Sequence, residues 1–324
     1  MPDVEPMLAQ TWPKAFNGKE WLFELKWDGY RCLLYIAGSQ IFLRSRNGKS
    51  LNQRFPQLEA VVKCVKAANF RNLIVDGEIV AFSEGRPDFS FLRTNPESGV
   101  YMAFDLLYLN DEFLLDVPLV DRRHKLSQVF DWNGPIYFSE AQDELGETLF
   151  EFVRRRDLEG MMAKRKHSLY FPGRRTRDWL KIKNFKEEDL WVVGYFPSPG
   201  RKIGSLLVAR EATEQQRQGR PGMVHPHTRQ EVVSCEAGER STGAKRFVLL
   251  GRVSSGLNEA LEIALEAAFG APIPHSIAQV QGKLPKRDLR EVKWIEPFFG
   301  VKVQYTEITP EGRLRHPVLK QVIW

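Results

Sequence analysis

Cysteine is scarce. The 324 residues hold three, Cys32, Cys64 and Cys235, with no CxxC pair among them. An odd, scattered set supplies neither a disulfide framework nor a zinc cage and suits a reducing compartment. Long apolar runs are missing too. None approaches the roughly 20 residues of a membrane-spanning helix, which excludes an integral helical membrane protein. The opening stretch MPDVEPMLAQTWPKAF has no basic-then-apolar order, so no secretory signal is expected. Internal repeats are also absent, and the expectation is a cytoplasmic chain. What is present is ordinary globular composition, 43% apolar and 27% charged, which argues against wholesale disorder. The length predicts two domains.

Charge is uneven. The net charge is +6, yet between Arg154 and Lys186 twelve Lys/Arg residues face only Asp157, Glu159 and Asp178. That local excess is larger than the excess of the whole chain. It reads either as a solvated basic face or as a phosphate or nucleic-acid surface, because clustered cations release condensed counterions when they neutralise phosphates. Tyr170, Phe171 and Trp179 interleave the run, although aromatics are equally at home in a core.

Strand patterns dominate the first half. In WLFELKWDG, Trp21, Phe23, Leu25 and Trp27 fall on one face and Leu22, Glu24, Lys26 and Asp28 on the other. Arg31–Ile36 and Ile41–Ser45 read as strands, the second ending at the tight-turn signal Asn47-Gly48. Leu73–Phe82 and Val100–Leu109 are continuous apolar runs, expected as buried strands. Helices are expected over Leu51–Ala68, Pro118–Phe130, Asp143–Arg156 and Leu257–Phe269. Gly160–Arg165, Trp179–Lys183, Gly204–Arg210, Phe247–Val253 and Gly300–Ile308 read as further strands. Beyond Phe185–Glu188, short strands with one helix suggest a small β-barrel. The polar stretch Glu211–Lys245, with His225 and His227 flanking Pro226, reads as a long loop inserted in it; two histidines alone make no metal site.

Five polar clusters stand inside these patterns. Lys26-Trp27-Asp28-Gly29 is a K-x-D-G, weak by itself and compatible with a plain salt-bridge ladder. Ser45-Arg46-Asn47-Gly48 places an arginine at a turn. Asp76-Gly77-Glu78 embeds two acids in the apolar string IVDGEIVAF, where a carboxylate costs several kcal/mol unless a cation, a metal or a donor meets it. Glu159-Gly160 opens a second such strand, EGMMAKR. In Trp179-Leu180-Lys181-Ile182-Lys183 both lysines share a face, and two lysines side by side repel unless an anion lies between them.

In this order, KWDGYR, SRNG, DGEIV, FDLLYLN, EGMMAKR and WLKIK resemble motifs I, Ia, III, IIIa, IV and V of ATP-dependent DNA ligases, members of the covalent nucleotidyltransferase superfamily. PMLA at Pro6–Ala9 and SLYFPGRRTRDWLKIK are similar to the ligase domain of bacterial non-homologous end-joining ligases. The resemblance is strong over 1–186 and weaker beyond, where GSLLVAR and FVLLGRVSSGL look like the family's OB domain. It implies an α+β fold: an adenylation (nucleotidyltransferase) domain at 1–186, of ATP-grasp-like antiparallel sheets with helices, then an OB-fold β-barrel domain at 187–324 with a long insertion at about 211–245. The implied reaction has three steps. A lysine takes AMP from ATP, the AMP passes to the 5′-phosphate at a nick, and the 3′-hydroxyl displaces it.

Carried over by position, the resemblance makes Lys26 the nucleophile. A lysine amine, with an ordinary pKa of about 10.4, is protonated at neutral pH and has to be activated. Arg31, Lys181, Lys183 and bound Mg²⁺ are the expected activators. Glu24 is placed beside the adenine, Phe104 stacked on it, and Arg46 and Glu78 at the ribose. Glu159, then Glu78, would hold the metal, Mg²⁺ or Mn²⁺. Lys181 and Lys183, assisted by Arg175, clamp the α-phosphate. Arg31 meets the 5′-phosphate of the nick, Asp28 helps to orient it, and Arg174 and Arg177 contact DNA. The implied partners are nicked double-stranded DNA and DNA end-binding or repair proteins, with no membrane; the chain is expected to be a monomer and, in a bacterium, nucleoid-associated.

Two departures shape the expectations. Gly312-Arg313-Leu314-Arg315-His316-Pro317 is followed by VLKQVIW with no Asp-Lys, where the family's motif VI usually carries one. Weaker self-adenylation is expected, with Arg313, Arg315 or Lys320 as substitutes, or a preference for nicks already adenylated. Lys26 also lies close to the N-terminus, leaving no room upstream for a helical DNA-binding domain, so grip on the duplex is expected from the two domains and to weaken steeply with salt. An RNA ligase, a capping-type nucleotidyltransferase and a nick-binding protein that has lost catalysis remain open from sequence.

Overall fold

The computed structural model describes residues 1–66, 70–212, 246–269, 279–282, 284–309 and 311–323. The chain divides into two compact units, Met1–Asn184 and Phe185–Trp324.

In the first unit two sheets are built on ten strands, β1 (Leu8–Thr11), β2 (Trp21–Leu25), β3 (Tyr30–Ala37), β4 (Gln40–Ser45), β5 (Asn72–Val80), β6 (Val100–Leu109), β7 (Ile136–Phe138), β8 (Ala141–Asp143), β9 (Gly160–Arg165) and β10 (Arg175–Lys183), with a two-residue strand, Glu112–Phe113, paired to the end of β6. One sheet runs β1-β10-β9-β2-β8 and the other β7-β6-β5-β3-β4. Pairing is antiparallel except for β1 with β10 and β7 with β6. The continuous apolar runs form β5 and β6 because both faces of their sheet are covered. One face packs on Leu58, Val61 and Phe130. The other meets the first sheet across Leu33, Tyr35, Ile74, Phe104, Leu107 and Trp179. The outer face of the first sheet, with Phe23, Met161, Ala163, Leu180 and Ile182, is sealed by Phe150 and Val153 of a helix at Gly146–Arg155.

The helix expected over Leu51–Ala68 is instead a 3₁₀-helix at Pro56–Cys64, with 67–69 outside the described residues. The physical reason is in the spacing. Within the helix the buried residues are Leu58, Val61 and Cys64, after a buried N-cap at Phe55, and that period of three fits three residues per turn. The helix expected from Asp143 starts at Gly146, because Ala141–Asp143 pairs with β2 as β8. The strand expected through Lys26 and Asp28 ends at Leu25.

In the second unit, β11 (Lys186–Ser198), β12 (Arg201–Glu211), β13 (Arg246–Val253), β14 (Gln279–Gln281), β15 (Gly300–Tyr305) and β16 (Val318–Ile323) run in the order β14-β13-β12-β11-β15-β16 around Val192, Leu206, Val208, Val253, Val301 and Val303. A helix at Glu259–Ala268 is capped by Asn258, whose side chain accepts from the Leu261 N–H. The expected barrel is not closed among the described residues. A single bridge, Ser255 to Val318, joins the segment after β13 to β16, and one bridge is not a strand pair. Of the insertion at 211–245, residues 213–245, His225 and His227 included, lie outside the described residues. Among the described residues no helix is long and apolar enough to cross a membrane.

Arg122 and Asp105 form a fully buried two-pronged pair, 2.7 Å at both contacts, with the remaining Arg122 nitrogen donating to the carbonyls of Val117 (2.6 Å) and Ser168 (3.0 Å). Arg122→Ala strands a buried carboxylate and should cost about 3–5 kcal/mol in urea unfolding. A loss of less than about 1 kcal/mol, the range of surface pairs, would show that the pair does not organise this unit.

Candidate active site

Three strand registers bring the polar clusters of the first unit together. Glu24 of β2 pairs with Met162 of β9, and Met162 with Lys181 of β10, giving a row across one sheet. Arg31 of β3 pairs with Glu78 of β5 on the facing sheet. Between them lies a cavity of about 180 Å³ lined by Pro6–Ala9, Glu24–Trp27, Arg31, Arg46, Glu78, Phe104, Met162, Lys164, Arg175, Trp179 and Lys181.

The motif glycines are set by close packing. A Cβ on Gly29 would sit 2.1 Å from the Ile79 carbonyl oxygen, and one on Gly77 2.4 Å from the Tyr101 ring. Only glycine lets the chain beside Lys26 and Glu78 pass so near these neighbours.

Lys26 follows the end of β2, its backbone N–H held by the Gly160 carbonyl (3.0 Å). Its Nζ donates to Glu159 Oε2 at 2.5 Å, with both side chains about one-fifth exposed (22% and 23%). Glu78 is the second carboxylate here. Burial, opposed by Arg31 and Lys26 and reinforced by Glu159 and Asp76, pushes its carboxyl from 4.5 up to about 8. Lys181 shows the converse. Burial and the charges of Arg175, Lys183, Lys26 and Arg46 all push its amine below the ordinary lysine range. Arg46 reaches the cavity from the turn after β4, where its N–H donates to the Arg31 carbonyl (3.1 Å) and Gly48 takes φ +78°.

The other end of the cavity is aromatic. Phe104 is 5% exposed, with Lys164 Nζ 4.1 Å and Arg31 Cζ 4.7 Å from its centroid, and Trp179 meets it edge-on at 6.3 Å. Glu24 is buried and accepts from Arg123 Nη1 (2.9 Å) and Lys164 Nζ (2.8 Å). Burial and Arg123 lower the Lys164 amine, against the pull of Glu24.

Lys26, Glu24, Arg31, Arg46, Glu78, Phe104, Arg175 and Lys181 all line the cavity. Lys183 does not line it, although its charge reaches Lys181. Glu159 stands just behind, on Lys26, and Asp28, Arg174 and Arg177 lie outside the lining, the two arginines exposed. The twelve-cation run is not one surface, since Lys164 is buried on Glu24 and Lys166 pairs with Asp143 and Glu144.

Sequence reasoning missed Arg123, Lys164 as a member of the site, Tyr170 and the use made of Asp76. Arg31 grips Asp76 with Nε and Nη2, both at 2.6 Å, and Tyr170 donates to the same carboxylate at 2.6 Å. Burial works against the Arg31 charge, but Asp76 holds it above the ordinary arginine range. The only signal for this partner was the fully buried Asp76 itself, which required a cation somewhere. Arg123 gave none, because DRRHK reads as a solvated helix face.

The first unit matches the ATP dependent DNA ligase domain over residues 6–183, and the ATP dependent DNA ligase C terminal region matches over 228–322. The chain is 32% identical over 320 residues to the multifunctional non-homologous end joining protein LigD of Mycobacterium bovis, covering 97% of this chain and 37% of that protein. It is 30% identical over 340 residues to the bifunctional non-homologous end joining protein LigD of Bacillus subtilis, covering 97% and 51%. The chain thus spans about a third to a half of the length of these relatives. The crystal structure of the ligase domain from M. tuberculosis LigD aligns with a TM-score of 0.54 at 29% identity, covering 98% of this chain and 94% of that one. A structure from work on Lig E DNA ligases, at 18% identity and a TM-score of 0.57, shares the fold. With a nucleotidyltransferase domain followed by an OB-type unit, the chain belongs to the ATP-dependent DNA ligase family.

Proposed function

We propose that this chain seals 3′-hydroxyl/5′-phosphate nicks in duplex DNA with ATP, through AMP carried covalently on Lys26. The observation that carries the proposal is the convergence of Lys26, Arg46, Arg175 and Lys181 on one cavity, close enough to depress the Lys181 amine. Such a cluster is stable only against an anion, and a triphosphate supplies one.

In the first step Lys26 Nζ, freed of its proton, bonds to the α-phosphorus while the bond to pyrophosphate breaks. Glu159 holds the amine and is placed to take that proton. Lys181 and Arg175 offset charge at the α-phosphate, with Lys183 adding its field from outside the lining. Arg46 and Glu78 stand at the ribose, and Phe104 with Glu24 at the adenine. The AMP then passes to the 5′-phosphate, met by Arg31, and the 3′-hydroxyl displaces it. Arg174 and Arg177 contact the duplex and Asp28 orients the nick. The end-joining relatives support a repair role alongside DNA end-binding proteins.

Mg²⁺ or Mn²⁺ fits in a limited way. Among the described residues no three His, Cys, Asp or Glu side chains gather as a metal site. Glu78 and Glu159 are two neighbouring carboxylates, one of them buried with its charge disfavoured. Magnesium is commonly held by one or two carboxylates with phosphate oxygens and water. Bound there, it would displace the Glu78 proton and neutralise phosphate charge.

Incubation with α-labelled ATP and Mg²⁺ should label the chain, and Lys26→Ala should abolish the label. Tight nick binding without any label would favour the catalytically silent alternative. Lys181→Ala and Glu159→Ala should each slow sealing by about a hundredfold or more with the fold intact; a near wild-type rate in either would show its assigned role to be wrong.

Glu78 also sets a pH dependence. Its folded value of about 8 exceeds the ordinary 4.5, so the folded state holds a proton that the unfolded state has lost. Its contribution to stability is complete below 4.5 and is lost as pH rises to about 8. Glu78→Gln should therefore raise the urea midpoint at pH 9 and leave it nearly unchanged at pH 4; equal effects at both would contradict the shift.

A further inference from the structure

Five hydrogen bonds close a ring of four residues beside the cavity. The Tyr170 hydroxyl accepts from the Met7 N–H (2.8 Å) and donates to Asp76 Oδ2 (2.6 Å). Asp76 receives Arg31 Nε and Nη2, both at 2.6 Å, and Arg31 Nη2 returns to the Met7 carbonyl at 3.4 Å. Met7 is at the centre of the cavity wall Pro6–Ala9, so the ring joins that wall to the arginine facing it. The strand ladder begins at Leu8, whose N–H donates to the Arg174 carbonyl (2.9 Å), and does not reach Pro6 or Met7. β1 meets β10 through four residues, and their register breaks between Ala9 and Gln10. Side chains have to fix what the ladder leaves open. Tyr170 does so from a buried position, 2% exposed, its ring edge-on to Trp179 at 5.7 Å.

We propose that Tyr170 is a positioning residue for the nucleotide, its hydroxyl holding the Pro6–Ala9 wall and the Arg31 guanidinium in one fixed arrangement before ATP arrives. The inference rests on the reading of this cavity as the ATP site. It deepens that reading by assigning the PMLA segment and Tyr170, to which the three reaction steps give no task. A preformed pocket avoids the ordering cost that a loose wall would add to binding. The hydroxyl therefore acts on affinity rather than on bond making, because Tyr170 itself does not line the cavity.

Tyr170→Phe keeps the ring and removes only the hydroxyl. Tyr101→Phe is the matched control: Tyr101 is buried in the neighbouring sheet and donates to the carbonyls of Cys32 (2.7 Å) and Val75 (2.9 Å), with no bond to the wall. In Lys26 adenylation, Tyr170→Phe should raise the KM for ATP about tenfold with kcat within about twofold, the pattern of lost uniform binding. Tyr101→Phe should lower Tm without moving KM. An unchanged KM in Tyr170→Phe, or an equal rise in both variants, overturns the inference. Absence of adduct in the wild-type chain overturns the functional reading as well, which separates the two failures. If Tyr170→Phe does not fold, Met7 amide exchange in the wild-type chain decides. Exchange of that amide without ATP as slow as that of the paired strand amides supports the preformed wall; exchange as fast as in an unfolded chain, slowed only once ATP is added, overturns it.

Discussion

Positive charge crowded into one cavity is the constraint on which the rest depends. Lys26, Arg46, Arg175 and Lys181 share a lining whose carboxylates are few and already engaged. Glu24 is taken by Arg123 and Lys164, Glu78 is pushed toward its neutral form, and Glu159, just behind the lining, is taken by Lys26. Like charges in a partly desolvated space repel strongly, and the folded chain tolerates them because the cost falls when a polyanion enters. On the proposed function, stability given up in the unliganded state becomes discrimination in favour of phosphate.

The two-sheet scaffold makes that crowding possible. Each sheet of the first unit is buried on both faces, so the cations, on strands or just beyond their ends, have little freedom to move apart. Buried pairs flank the cavity. Asp105 with Arg122, Asp76 with Arg31, and Glu24 with Arg123 and Lys164 place three neutralised carboxylates around the aromatic end. Each pair is costly to break because its surviving partner would remain charged and dry. The site is therefore rigid at its aromatic end and electrostatically tense at its cationic end.

Family membership and geometry inform different levels. The match to ATP-dependent DNA ligase domains covers both units, whereas the end-joining relatives extend well beyond this chain's length. Chemistry at Lys26 can be argued from the first unit alone, because the residues assigned to the bond changes lie within Met1–Asn184. The arginines proposed to contact the duplex, Arg174 and Arg177, are exposed and lie outside the cavity lining.

Much of the candidate site was legible in the amino-acid order. Lys26, Arg46, Glu78 and Lys181 sit in short polar clusters whose residue types already suit a nucleotide, and alternation along β5 and β10 put their polar members on one face, whereas Phe104 and Arg175 came only from the family resemblance. Strand registers, the 3₁₀ form of Pro56–Cys64 and the open sheet of the second unit were decided by packing, which local patterns do not encode. Partnerships were invisible for the same reason. Arg123 and Lys164 look like solvent-facing cations until the fold brings Glu24 between them, and Tyr170 looks like a core aromatic until Met7 arrives from 163 residues away. Sequence determined which chemical groups were available and on which face of each strand they lay. Tertiary structure alone decided which charges became one another's counterions and which were left for a ligand, because that depends on distances between strands far apart in the chain.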